Sequence, residues 1–126
     1  MLELLRRVVR GLAAMAPVSR YVVEGSSMLP TFAPGDRIVV SRAAYLWRSP
    51  VKGDLIVCKH PFDLERPLLK RVAAVSGESV VIGTRNYRLG AGEWYVLGDN
   101  ADGSSDSRSF GPVERRQIVG KVWFRY

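Results

Sequence analysis

The chain has 126 residues, 47% of them hydrophobic and 25% charged, which suits one globular domain with a modest core and is too short for two. Nineteen Lys and Arg against twelve Asp and Glu give a net charge of +7, a balance suited to an anionic surface. Arginines set among apolar residues at the N-terminus favour a membrane surface over nucleic acid, and the single cysteine, Cys58, excludes an internal disulfide or a thiolate cluster.

In chain order, residues 1–18 come first. Arg6, Arg7 and Arg10 interleave with Leu2, Leu4, Leu5, Val8, Val9 and Leu12 at helical spacing, which predicts an amphipathic leader helix suited to lying on a membrane. The longest apolar run, 11–18, is broken by Pro17 and falls short of the ~20 residues that span a bilayer. It is also too short for the apolar part of a cleaved secretion signal; an Arg-rich, acid-poor start equally suits organelle targeting, and the leader is read here as retained.

From residue 19 the pattern changes to short β-branched and aromatic runs separated by turn residues, which predicts a mainly β domain over 19–126. Strands are expected at 20–23, 37–41, 54–60, 68–75, 79–82, 86–89, 94–97 and 118–125. Pro34-Gly35-Asp36 and Lys52-Gly53-Asp54 are turns that each deliver the chain into an apolar run. Residues 99–111 are thirteen positions with almost no apolar content, long enough to be a functional loop.

Gly25-Ser26-Ser27-Met28-Leu29-Pro30-Thr31 presents a serine on a turn, and a serine nucleophile needs a base and an oxyanion donor. The sole histidine, His60, ends a strand run and precedes Pro61, a poor setting for an oriented base. Cys58 and His60 share a strand face, but two ligands make no metal site. Asp99, Asp102 and Asp106 match no calcium-loop spacing. Strand alternation puts Lys70 on the face of Leu68, Val72 and Ala74, where lost hydration would lower its pKa and yield a neutral amine. Arg71, on the opposite face, is expected to stay solvated. Taken alone, the same pattern also suits an edge lysine whose stem lies along apolar surface.

Four segments in order, residues 25–31, Gly53-Asp54-Leu55-Ile56-Val57, Lys70-Arg71-Val72, and Gly98-Asp99-Asn100 through Ser104-Ser105-Asp106-Ser107-Arg108-Ser109-Phe110-Gly111, resemble the successive boxes of type I signal peptidases. The likeness is nearest to compact members such as mitochondrial inner-membrane peptidase subunits and nickel superoxide dismutase maturation proteases. It implies a partly open barrel of antiparallel sheets and a Ser/Lys endopeptidase that cleaves after a small residue, without metal or cofactor. By the same resemblance Ser27 is the nucleophile, Lys70 the general base, and Ser104 the hydroxyl that orients the amine. Asp106 and Arg108 brace the site, and Met28 helps form the cleft.

Two departures stand out. Gly25 occupies the position where some signal peptidases carry an oxyanion serine, so the hole rests on the Ser27 backbone N–H. Only about twenty residues separate Gly77 from Gly98, where larger relatives insert a second β domain. The resemblance also leads one to expect a bacterial plasma membrane or mitochondrial inner-membrane location, and leaves room for a second protease subunit. Without a spanning helix, the leader or exposed Phe32, Tyr45, Leu46 and Trp47 would hold the domain at the bilayer. Two rival readings are a self-cleaving repressor-type Ser/Lys protease and a non-catalytic basic β module that binds anionic membranes.

Overall fold

A computed structural model describes residues 17–126; the leader helix expected at 1–18 lies almost wholly outside them. Among the described residues nine strands form, β1 (Val18–Val22), β2 (Arg37–Ser41), β3 (Leu55–His60), β4 (Asp63–Ala74), β5 (Ser79–Ile82), β6 (Arg85–Arg88), β7 (Glu93–Leu97), β8 (Val113–Glu114) and β9 (Ile118–Arg125). Seven make one antiparallel sheet in the order β1-β2-β9-β3-β4-β7-β8, and β5-β6 is a separate hairpin. The fold is mainly β as expected, and the sheet curls without closing into a barrel.

Three of the expected strands, 37–41, 79–82 and 118–125, coincide with β2, β5 and β9. The largest extension is at β4, which begins five residues early, because Asp63 to Pro67 continue the hairpin with β3 through a register shift at Lys59/His60. These residues are all exposed, so they lack the apolar alternation that marks a half-buried strand. The two-residue β8 is held by pairing with Glu93 and Trp94 of β7, and no local pattern announces it.

Alternation along the central strands builds two core layers. One side gathers Ile56, Cys58, Leu68, Val72, Trp94, Val96, Val113 and Ile118 around Tyr45. The other gathers Val23, Met28, Phe32, Ile38, Val40 and Val57. Each fully buried Val, Ile or Met contributes about 1.5–3 kcal/mol, so these layers hold the strands that carry the site. A third cluster of Ala74, Leu89 and Tyr95 seats the β5-β6 hairpin.

Two aromatic residues expected at the surface are instead buried. Phe32 packs in the second core layer, and Tyr45 is enclosed because its hydroxyl donates at 2.7 Å to the buried carboxylate of Asp54. That bond satisfies the one polar atom that would otherwise keep the ring in water. Leu46 and Trp47 do stay exposed, at 63% and 92%.

Candidate active site

The serine turn is fixed from two sides. Below it, Met28 is 1% exposed and packs on Val23, Phe32, Ile38 and Val57. Beside it, the Asn100 backbone N–H donates to the Ser27 carbonyl at 2.8 Å, and Asn100 Nδ2 donates to the Ser26 carbonyl at 3.0 Å. Gly25 has φ +70°, a backbone region that a serine enters only with strain, which gives a local reason for glycine here. The Ser27 N–H has no hydrogen bond to any described residue, so it is available to an incoming carbonyl oxygen.

Lys70 sits on β4 opposite Ile56 of β3. Leu68, Lys70, Val72 and Ala74 are all buried and the residues between them half-buried, in keeping with the period of a strand. Lys70 itself is 2% exposed, and its Nζ donates to Ser104 Oγ at 3.2 Å. Burial outweighs the attraction of nearby Asp106 and holds the Lys70 pKa below the ordinary lysine value, with Arg66 and Arg108 adding repulsion. Ser27 and Lys70 line one groove of about 700 Å³, although no hydrogen bond joins them.

The polar stretch 99–111 is ordered by two carboxylates. Asp106, 1% exposed, caps the one-turn helix α1 (Ser107–Phe110) by accepting from Arg108 N. It also accepts from Arg108 Nε at 2.9 Å, from an Arg108 terminal nitrogen at 2.7 Å and from Gly98 N at 3.1 Å. Burial works to raise its pKa, but these donors and the Ser104 hydroxyl together hold it below the usual carboxylate range. Ser104 is therefore held between a carboxylate and the Lys70 amine.

Asp99 carries the second arrangement. Its carboxylate accepts two bonds from Arg71, at 3.0 and 2.9 Å, and one from Thr31 Oγ1 at 2.6 Å. The Arg71 guanidinium, with help from Thr31, keeps this carboxyl below its ordinary pKa despite burial. Arg71 is therefore not simply solvated. It ties the strand of Lys70 to the turn of Ser27 through one shared carboxylate, and its third nitrogen group reaches the Gly53 carbonyl at 3.0 Å. Sequence alone passed over Thr31, Arg71 and Asp99 as site-bracing residues. An arginine beside the lysine in an apolar strand, needing a carboxylate partner, was the available signal.

Gly98 stands where these parts meet. A Cβ there would lie 2.6 Å from the Ser27 carbonyl oxygen and 2.6 Å from Ser104 Cβ, so only glycine lets the two segments close on each other.

The set-aside groups lie apart. His60 Nδ1 accepts from Phe62 N at 3.1 Å and its ring rests 4.9 Å from that of Phe110, away from the groove. Burial pushes the Cys58 thiol up to about 12, so it is a packed thiol rather than a ligand. Among the described residues no group of three His, Cys, Asp or Glu could hold a metal ion.

The described residues thus form an antiparallel β domain with an open groove, bordered by a turn serine and a desolvated lysine. Comparison with known proteins gives the family. The model described as "Signal peptidase, peptidase S26" matches residues 4–89 and 82–126, and the chain belongs to that family of serine endopeptidases. It is 31% identical to the probable signal peptidase I-1 of Synechocystis, over 85% of this chain and 69% of that protein. It is 34% identical to the mitochondrial ATP-independent inner membrane protease subunit 1b of Arabidopsis thaliana, over 80% of this chain and 65% of that protein. Signal peptidase I V of Bacillus subtilis is 28% identical over 81% of this chain and 82% of its own length.

Proposed function

We propose that residues 19–126 form a catalytic domain that cleaves leader segments after a small residue through a Ser27/Lys70 dyad, with residues 1–18 as an amphipathic leader helix. The observation that carries the dyad is a lysine amine 2% exposed, with lowered pKa, sharing a groove with Ser27 and bonded to a hydroxyl. A neutral Lys70 amine takes the Ser27 Oγ proton as Oγ bonds to the substrate carbonyl carbon. The oxyanion is received by the Ser27 N–H. The Lys70 ammonium then protonates the departing amine, leaving the leader as an ester on Ser27. Water, giving its proton to Lys70, attacks that ester and releases the leader carboxylate. Ser104 aims the amine, Asp106 and Arg108 brace Ser104, and Met28 supports the cleft floor.

The strand order supports an extended peptide as occupant. Among the described residues β1 pairs only with β2, and residues 67–70 of β4 pair only with β3, because β7 joins β4 from Arg71 onward. Both open edges border the groove. A substrate strand laid between them would gain backbone hydrogen bonds on both sides.

We place the enzyme at a membrane surface. No helix among the described residues is long and apolar enough to cross one, and exposed Leu46 and Trp47 beside Arg48 have interfacial character. Three of the relatives are by name inner membrane protease subunits, which supports a second protease subunit as partner. Ser27→Ala and Lys70→Ala should each abolish cleavage of a leader peptide ending in a small residue, while circular dichroism stays that of the native domain. Full activity in either folded variant would sink the dyad.

A further inference from the structure

The groove carries charges that the dyad does not use. Arg20 lies on its β1 wall and Arg66 on its β4 wall, both exposed, and neither side chain has an ion pair or hydrogen bond to a described residue. Glu24, also exposed, lies on the β1 side between Arg20 and Ser27. A peptide lying along the slot from Lys70 therefore has Glu24 and then Arg20 on its β1 side and Arg66 on its β4 side.

Strand geometry sets the register. Arg66 precedes Lys70 by four residues on the same strand, about 13 Å at ~3.3 Å per residue. Even spacing puts Leu68 and Lys70 on one face of β4, and Arg66, at the register shift just beyond them, borders the same groove. Arg66 is near enough to Lys70 for its charge to act on the amine. A substrate residue four or five positions from the scissile bond would sit between the two arginines. The chemistry chooses the side. The leader stays esterified to Ser27 after the mature protein has left, so the long slot is suited to hold the leader, and the open end to release the larger product.

Resting on the Ser27/Lys70 reading, we infer that Arg20 and Arg66 select leaders carrying Asp or Glu four or five residues before the cleaved bond. Glu24 disfavours an acid closer to that bond. Such a device would distinguish leaders that share the same small residue at the cut.

The test uses the full chain and a set of quenched-fluorescence peptides identical except for Asp, Gln or Lys at each position from two to six before the bond, and two to six after it. The expected result is a kcat/KM about fivefold higher for Asp than for Lys at position four or five on the leader side, as a weakly screened ion pair gives. The preference should fade at high salt. In Arg20→Glu/Arg66→Glu the Asp-to-Lys ratio should invert, and in Arg66→Gln it should flatten; a general change in Lys70 basicity cancels in the ratio. Equal rates for Asp, Gln and Lys peptides would overturn the inference while leaving the dyad standing. So would an acid preference on the mature side. Loss of binding to vesicles of anionic phospholipid in these variants, with no change in peptide ratio, would assign the arginines to the membrane instead. Absence of cleavage of every peptide would count against the dyad itself.

Discussion

Gly98→Ala tests whether the site depends on contact at one backbone position. The added methyl carbon would lie 2.6 Å from the Ser27 carbonyl oxygen and 2.6 Å from Ser104 Cβ. Carbon atoms prefer about 3.5–4.0 Å, so the Ser27 backbone, Ser104 or both must retreat by ~1 Å. Neither can do so freely. Asn100 N holds the Ser27 carbonyl at 2.8 Å, and Ser104 is bonded to Lys70 at 3.2 Å. Overpacking of this kind costs about 1–3 kcal/mol of stability. A misplacement of ~1 Å between reacting groups costs on the order of 100-fold in rate. Urea denaturation and kcat/KM on one leader peptide measure the two effects. Gly90→Ala is the control, since its Cβ would meet only the end of the flexible Glu93 side chain, at 3.2 Å. Gly98→Ala activity within about twofold of wild type would refute the claim that close approach at this glycine sets the geometry.

Lys70→Met should abolish cleavage yet raise stability at neutral pH by about 1–3 kcal/mol, because it replaces a buried ionisable amine, costly to take out of water, by an apolar side chain of similar length. The folded pKa of Lys70 is lowered by burial, so between it and the ordinary value of 10.5 the unfolded chain binds more protons. Wild-type stability therefore rises with pH through that window. The advantage of methionine should be largest below the window and shrink toward pH 10.5, as denaturation at several pH values would reveal. Asp99→Ala removes the acceptor shared by Arg71 and Thr31 and should cost about 1–2 kcal/mol, with a larger fall in kcat than rise in KM. An unchanged kcat would mean that the two segments are aligned without it.

The serine turn, the lysine's face and most strands could be read from the chain because they are local. A period of two puts Lys70 among Leu68, Val72 and Ala74 whatever the fold, and β-branched runs between turns mark β2, β5 and β9. The ordered boxes also carried the pairing of Lys70 with Ser104 across 34 residues, but only through resemblance. Periodicity has no means of stating it.

Tertiary structure decided what depends on distant segments meeting. It buried Phe32 and Tyr45, the latter because Asp54 accepts from its hydroxyl. It turned Arg71 from a solvated residue into a tie to Asp99, and left no room for a methyl at Gly98, where the Ser27 and Ser104 segments meet. It also left β1 and the first half of β4 as two unpaired edges of one groove, with an arginine on each wall. The physical reason is range. Propensity, alternation and turn chemistry act over a few residues, whereas burial, ion pairing and the gap between two strand edges are set by elements far apart in sequence.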